Sequence, residues 1–200
     1  MERPGRRTRP RQLIDCGDFA LRCWRGESDL VPAFTLISES LEHLTPWGQW
    51  AGGHSVRRTR DFLARCETRW ENGEVYNYAI TKDDALAGMY QAYRTAEVEG
   101  RAWRLGYWLH PAVTGQGIAT RATEAVIAEM FGLAEEEVDH LEITHDVANT
   151  ASGAIPRRLG FREVGREQVT PPGPPAGVGI DVVWRLDRPG RDPEPGTAAG

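Results

Sequence analysis

The stretch from Gly106 to Arg121 constrains the fold of this 200-residue chain more than any other segment. It predicts a strand, then a loop containing Gly115 and Gly117, then an amphipathic helix. Glycine adopts backbone conformations that a side chain disfavours, and it lets the backbone approach a ligand closely. Because the first N–H groups of a helix lack partners within the helix, this arrangement suits a phosphate or pyrophosphate. By itself, a loop with two glycines is equally typical of plain turn geometry.

A second segment further along the chain carries polar residues at a regular spacing. Asp146, Asn149 and Ser152 stand three residues apart, and the sequence Leu-Gly-Phe follows and ends at Phe161. Asn149 and Ser152 can face the same way on a helical turn. Since asparagine and serine are good N-caps, an alternative interpretation is that both cap the helix that follows.

Together the two segments resemble the GNAT N-acetyltransferases, in particular their RimJ/RimL-type branch. That branch has a strand ending in Gly-Tyr-Trp-Leu-x-Pro, an acyl-CoA loop Q/R-x-x-G-x-G/A, the motif D-x-x-N-x-x-S and a final Leu-Gly-Phe. In this chain the loop runs from Thr114 to Ala119, and threonine replaces the usual glutamine or arginine at its first position. Weaker resemblance extends from about Leu21 to Leu186.

The order of the predicted elements agrees with the fold that the resemblance implies. We expect an α/β domain over residues 13–187, with a mixed, centrally splayed sheet of six or seven strands flanked by helices. The composition of residues 1–12 predicts a flexible basic arm, and that of residues 188–200 predicts a disordered tail. Pro156 falls inside the predicted helix 150–159, so that helix either bends there or begins late with Ser152 as its cap.

Composition excludes several classes of function. The formal net charge of −5 argues against a nucleic-acid partner. No apolar run is long enough to span a membrane, so we expect no membrane partner. The three cysteines show no CxxC spacing, which predicts reduced thiols in a cytoplasmic protein. No residues have the spacing of metal ligands, so we expect no metal site. A homodimer is left open.

The resemblance implies acetyl-CoA as the acyl donor and assigns residues to it. The pyrophosphate would be held by loop N–H groups, and the residues concerned are Thr114, Gly115, Gln116, Gly117, Ile118, Ala119 and Thr120. Pantetheine would lie between two splayed strands, beside Tyr107, Trp108 and Leu109 and beside the strand end at His145. The Leu109 N–H would meet the acetyl oxygen. The resemblance also gives Asn149 a hydrogen bond to pantetheine and makes Ser152 the proton donor to the departing sulfur.

The sequence gives less information about the residues that bind the acceptor amine. His145 is the first candidate for the general base, because histidine titrates near neutrality, and the other candidates are Glu142, His43 and Glu39. Trp47 and Trp50 pack in the core or form an aromatic wall of the acceptor site, with the proline-rich loop 170–177 opposite.

We expect direct acetylation of a primary amine in a ternary complex, with a slight preference for a small-molecule amine. The alternatives are an N-terminal acetyltransferase of a protein, such as a ribosomal one, and a non-catalytic acyl-CoA-binding module.

Overall fold

The computed structural model describes residues 7–94, 101–134, 137–170 and 173–190. Its strands and helices, in chain order, are β1 (Leu13–Asp15), β2 (Ala20–Cys23), α1 (Leu30–Leu44), α2 (Val56–Glu71), β3 (Val75–Lys82), β4 (Ala85–Tyr93), β5 (Ala102–Leu109), α3 (Ile118–Phe131), β6 (His140–Asp146), α4 (Thr150–Arg158), β7 (Arg162–Gln168) and β8 (Ile180–Asp187). Short 3-10 turns occupy Gly26–Asp29, Gln49–Gly53 and Pro111–Val113.

The strands form one mixed sheet in the order β1-β2-β3-β4-β5-β6-β8-β7. Within the described residues β5 and β6 pair in parallel, while the other neighbours pair antiparallel. The expected α/β architecture is therefore confirmed. The described residues form eight strands, one more than the upper number predicted, because the three residues of β1 are too few to show an alternating pattern.

The helices cover both faces of the sheet. Neighbouring residues of β4 separate the two faces, because Met89 packs beside α1 and α2 whereas Tyr90 is buried in the cluster that contains α3. The larger apolar cluster includes Trp103, Ile118 and Val126 on the α3 side.

The sheet is splayed at its centre, as predicted. β5 and β6 pair from Ala102 opposite His140 to Leu105 opposite Ile143, and there the pairing stops. β5 nevertheless continues to Leu109, and β6 continues beyond Ile143 to its own end. A gap therefore opens between the carboxyl ends of two parallel strands.

The flexible-arm prediction for residues 1–12 needs correction from Arg7 onward. Arg7 and Arg11 both form ion pairs with the buried carboxylate of Glu129 on α3, and the Arg11 carbonyl accepts a hydrogen bond from the Tyr78 hydroxyl at 2.8 Å. A buried carboxylate requires such cationic partners, so this part of the arm is held against the domain. Residues 1–6 lie outside the described part of the chain.

The predicted tail also begins later than residue 188. Arg188 is buried, and its guanidinium donates to the carbonyl oxygens of Phe131 at 2.6 Å and Val138 at 2.8 Å. It thereby supplies donors to the carbonyl of the last residue of α3 and to a carbonyl just before β6. Residues 191–200 of the predicted tail lie outside the described residues. No helix in the described ranges is long and apolar enough to cross a bilayer.

Candidate active site

The start of α3 has the geometry of an open anion-binding site. Gly115 and Gly117 have φ angles of +74° and +75°, which side chains rarely adopt, although a Cβ at either position would meet no atom within 4 Å. Glycine is therefore required here for its conformation and not for space. Gly117 is the N-cap residue and no side chain caps the helix, so the first-turn N–H groups are left to a ligand.

Thr114 is turned into the loop. Its hydroxyl donates to the carbonyl of Pro111 at 2.8 Å, so it is used to close the preceding turn. A cation nevertheless reaches this helix start from α4, because Arg158 Nη1 donates to Thr120 Oγ1 at 3.4 Å. The sequence offered no signal for Arg158, since α3 and α4 are brought together only by the sheet.

Leu109 directs its backbone N–H into the gap between β5 and β6. The next residue, His110, donates its own N–H to the carbonyl of Ala87 at 2.8 Å, toward β4. Because successive backbone groups of a strand point to opposite sides, the Leu109 N–H points away from β4. It is therefore positioned for the expected contact with an acyl oxygen.

Two buried polar atoms beside the gap lack partners. Trp108 Nε1 on β5 and Thr144 Oγ1 on β6 make no hydrogen bond with any atom in the described residues. Unpaired buried polar groups are rare and call for a missing ligand or water. The gap thus fits an elongated polar ligand that runs between the two strands.

Asn149 alone is the cap of α4. Its side-chain oxygen accepts the N–H of Ser152 at 3.1 Å, and the helix begins at Thr150. The Ser152 hydroxyl makes no hydrogen bond within the described parts of the chain and is half-buried. The interpretation of Ser152 as a helix cap is therefore corrected, and its hydroxyl is available to a ligand.

Pro156 lies inside α4, and Tyr107 compensates for it. Proline has no N–H, so the carbonyl of Ser152, four residues earlier, loses its helical donor. The Tyr107 hydroxyl donates to that carbonyl at 3.4 Å. Burial raises the pKa of Tyr107 to about 12, so the hydroxyl keeps its proton at neutral pH. α4 accordingly neither begins late nor needs to break.

The Leu-Gly-Phe sequence ends α4. Gly160 has a φ of +80°, and its N–H donates to the carbonyl of Arg157. The N–H of Phe161 donates to the carbonyl of Pro156 at 3.0 Å. This is the Schellman arrangement, in which a glycine with positive φ closes the helix. The buried Phe161 then anchors the chain to the core.

His145 is held by partners on both ring nitrogens. Nδ1 lies 2.8 Å from the Asp146 carbonyl, and the Trp184 indole donates to Nε2 at 3.0 Å. The ring also fills the space beside Gly153, where a Cβ would come within 2.7 Å of it. Since neither nitrogen is free to take a proton, the geometry argues against the predicted base role. His145 instead positions α4 against the sheet.

Asp146 joins the two sides of the site. Its carboxylate accepts N–H groups from Ala148 before α4 and from Val178 and Gly179 before β8, at 2.9 to 3.1 Å. Burial raises the pKa of Asp146, but these N–H donors outweigh it and the pKa is lowered. The carboxylate is therefore a fixed structural junction.

Asp181 is a further candidate for the general base, and its position along the chain did not indicate this. It stands opposite Asp146 in the pairing of β6 with β8. Burial, and then the charge of Asp146, raise the pKa of Asp181. The available signal was an acidic residue within the apolar strand Ile-Asp-Val-Val-Trp. A carboxylate with a raised pKa is a better proton acceptor than an ordinary one.

The other predicted bases are differently engaged. Glu142 is bound by Arg104 and His140, each at 3.3 Å, and although burial raises its pKa these partners bring it below the usual value. Glu39 lies 3.5 Å from Nε2 of His110. His43 is exposed in the last turn of α1.

A cavity of about 440 Å³ lies between α1, α2 and the strands β4 and β5. Trp50 and Trp108 face it with ring centroids 5.9 Å apart, and Ile37, Phe62 and Met89 complete its apolar walls. Trp47 does not line it. His54 stacks on Phe34 at 4.7 Å and bonds to Ser38, which fixes the turn that carries Trp50.

The loop 170–177 contacts the turn after α1, but none of its described residues lines the cavity, so its role as an acceptor wall stays a prediction. The N–H of Ala176 donates to the carbonyl of Pro46 at 2.9 Å. Residues 171 and 172 of this loop are outside the described part. Among the described residues there is no cluster of three or more potential metal ligands.

Comparisons with known proteins agree with this geometry. The family model of the acetyltransferase (GNAT) domain matches residues 18–162. A curated relative, "Putative ribosomal N-acetyltransferase YdaF" of Bacillus subtilis (strain 168), is 34% identical over 84 residues, which span 42% of this chain and 44% of the relative. The match therefore covers less than half of that protein.

Two solved structures show the same fold. One is RimL, a ribosomal L7/L12 α-N-protein acetyltransferase in complex with coenzyme A, with a TM-score of 0.78, 20% identity and coverage of 88% of this chain and 97% of that one. The other is the microcin C7 self-immunity acetyltransferase MccE in complex with acetyl-CoA and AMP, with a TM-score of 0.76, 17% identity and coverage of 85% and 92%. The family model spans well over half of the sequence, and the splayed strands and glycine-capped helix agree with it. The chain belongs to the GNAT acetyltransferase family, as the resemblance in its sequence predicted.

Proposed function

We propose that this protein is an N-acetyltransferase that transfers the acetyl group of acetyl-CoA to the α-amino group of a protein N-terminus. The observation that carries the proposal is the gap between β5 and β6, with its unpartnered buried atoms and the open start of α3 beside it. The curated relative named as a ribosomal N-acetyltransferase supports a protein acceptor. We therefore prefer the peptide acceptor to the small-molecule amine that the aromatic residues first suggested.

The donor is bound by the residues around the start of α3. The N–H groups from Gly115 to Ala119 hold the pyrophosphate, and Arg158 supplies the cation that Thr114 lacks. Pantetheine occupies the gap, where Asn149 contributes its amide nitrogen while its oxygen stays on the helix cap. The Leu109 N–H stabilises negative charge on the acetyl oxygen.

The transfer itself is direct. The amine nitrogen attacks the thioester carbonyl carbon, and the C–S bond breaks. The hydroxyl of Ser152 gives its proton to the departing thiolate and is reprotonated from solvent. Burial raises the pKa of Cys23 to about 11 and of Cys66 to about 12, so neither thiol is a ready nucleophile for an acyl-enzyme. Holding both reactants together supplies much of the rate.

Asp181 takes over the role first considered for His145. Asp181 lies opposite Asp146 in the pairing of β6 with β8, and burial and the charge of Asp146 raise its pKa. A raised pKa makes its carboxylate a better acceptor for the proton of the attacking amine. His145 keeps a positioning role beneath α4 through Trp184 and Asp146.

The decisive variant is Ser152→Ala. Because Asn149 caps α4, the change removes the hydroxyl without removing a cap, so the free energy of unfolding should be unchanged. Thiol release should fall on the order of 10²-fold or more, with acetyl-CoA affinity retained in a calorimetric titration. Asn149→Ala is the comparison variant: it removes the cap, so it should lower stability by about 1 kcal/mol, and it should also weaken acetyl-CoA binding. Full turnover of the Ser152→Ala enzyme would refute the proton-donor role.

The reaction class is tested with the unmodified protein. Short peptides and small amines are offered with acetyl-CoA, thiol release is followed, and mass spectrometry locates the acetyl group. Acetylation of peptide α-amines supports the proposal. Binding of acetyl-CoA without release in either panel would indicate the non-catalytic acyl-CoA-binding module, and turnover of small amines alone would return the acceptor to a small molecule.

A further inference from the structure

The cavity beside Trp108 has the chemistry of a side-chain pocket. Ile37 of α1, Phe62 of α2 and Met89 of β4 give it apolar walls beside the two tryptophans, and polar residues of α2 line the rest. Its volume of about 440 Å³ is large enough for a long apolar side chain. Trp108 directly precedes Leu109, whose N–H points into the gap. A substrate whose amine lies at the gap therefore has its first side chain beside this cavity.

Trp50 stands at the mouth of the cavity. It is 48% exposed although it is a large aromatic residue, and it lies over Trp108 with a centroid separation of 5.9 Å. Its supporting turn is fixed by His54, which bonds to Ser38 and stacks on Phe34. An exposed aromatic ring on a fixed support is typical of a surface that binds an apolar partner.

The rim of the cavity carries two cations without carboxylate partners. Arg58 and Arg65 line it from α2, and neither forms an ion pair with a described residue. The guanidinium of Arg58 lies against the backbone of Gly53, in space that a side chain there would occupy. The acidic residue of this rim, Asp61, is within 4.0 Å of Arg57. The rim therefore complements a negatively charged group.

We propose that the cavity selects protein N-termini with a large apolar first residue, such as Met, Leu or Phe, followed by an acidic residue. The inference rests on the proposed function and names the substrate class of that site. The first side chain fills the apolar cavity between Trp50 and Trp108, and the acidic side chain that follows meets Arg58 and Arg65.

The apolar first residue and the acidic second residue contribute differently to the selectivity in kcat/KM. A serine or alanine first residue leaves most of the cavity without apolar contacts, and even one missing methylene in such a pocket lowers kcat/KM on the order of 10- to 200-fold. The charge part is weaker, because both arginines are exposed. We expect the acidic residue to raise kcat/KM about 2- to 5-fold, and this contribution should decline at high salt.

The test uses four peptides that differ in their first two residues: Met-Asp, Met-Lys, Ser-Asp and Ala-Asp. Values of kcat/KM are measured by thiol release with the full chain and with the variants Trp50→Ala and Arg65→Glu. Arg69→Glu is the matched control, since Arg69 is on the same helix, has a side chain 46% exposed and does not line the cavity. Thermal melting shows whether each variant remains folded.

The expected order is Met-Asp, then Met-Lys, then the serine and alanine peptides. Trp50→Ala should reduce the preference for Met at least about 10-fold, and Arg65→Glu should favour Met-Lys over Met-Asp. Arg69→Glu should leave both preferences unchanged. Equal or better use of the serine or alanine peptide overturns the inference while leaving the proposed function in place. Turnover of small amines but of no peptide overturns both.

Discussion

Replacing Tyr107 with phenylalanine should destabilise the protein by removing one hydrogen bond. The Tyr107 hydroxyl donates to the Ser152 carbonyl at 3.4 Å, in place of the N–H that Pro156 lacks. The ring stacks on Tyr90 with centroids 5.5 Å apart, and phenylalanine preserves that contact. A neutral hydrogen bond contributes about 0.5–1.5 kcal/mol net, so we expect a loss of about 1 kcal/mol. In a chain of this size, that loss lowers Tm by about 2–4 °C.

The assay is a double-mutant cycle with Pro156→Ala. Alanine restores an N–H at position 156, which can bond to the Ser152 carbonyl and make the tyrosine hydroxyl redundant. Urea unfolding followed by tryptophan fluorescence gives the free energy of all four proteins. The Tyr107→Phe change should cost about 1 kcal/mol with proline present and less than about 0.3 kcal/mol with alanine present.

An equal loss of unfolding free energy in both backgrounds would contradict the proposed compensation of Pro156 by Tyr107. It would mean that the hydroxyl stabilises the protein through some other group, and that the Ser152 carbonyl needs no substitute donor. The far-ultraviolet circular dichroism of each variant checks that α4 is retained.

Three further predictions concern the site. Gly117→Ala should cost about 1–2 kcal/mol and weaken acetyl-CoA binding, because alanine disfavours a φ of +75°; the control Gly52→Ala has open space and no positive φ, so it should preserve cofactor binding in calorimetry. Asp181 must be ionised to accept a proton, and its raised pKa places the acid limb of the pH–kcat profile above the ordinary aspartate range, so Asp181→Asn should lower kcat and abolish that limb. An unchanged profile would exclude Asp181. Arg158→Ala should raise KM for acetyl-CoA about 5- to 10-fold with little change in kcat, whereas an unaltered KM would leave the phosphate to the loop alone.

Short-range patterns predicted most of the fold and the donor side of the site. The glycine loop, the cap residue Asn149 and the ending at Gly160 depend on neighbouring residues, so the sequence contains their physical causes. The splayed strands followed from the resemblance. The short strand β1 was missed because its pairing partner, and not its own pattern, makes it a strand.

The acceptor side depends on contacts between distant parts of the chain. The role of His145 is decided by Trp184, and that of Asp181 by Asp146, and in each case the pairing of β6 with β8 makes the contact. A residue's type and local position do not reveal such partners. The packing of Arg7 and Arg11 on Glu129 was hidden for the same reason.

The junction at Asp146 has a consequence for the order in which substrates bind. One carboxylate holds both the residue that leads into α4, on the proposed donor side, and the loop before β8, on the proposed acceptor side. Occupation of the gap restrains the first turn of α4, and through Asp146 that restraint reaches the acceptor loop and its link to Pro46. The steady-state pattern expected from this linkage is compulsory order, with the thioester entering first and the free thiol leaving last.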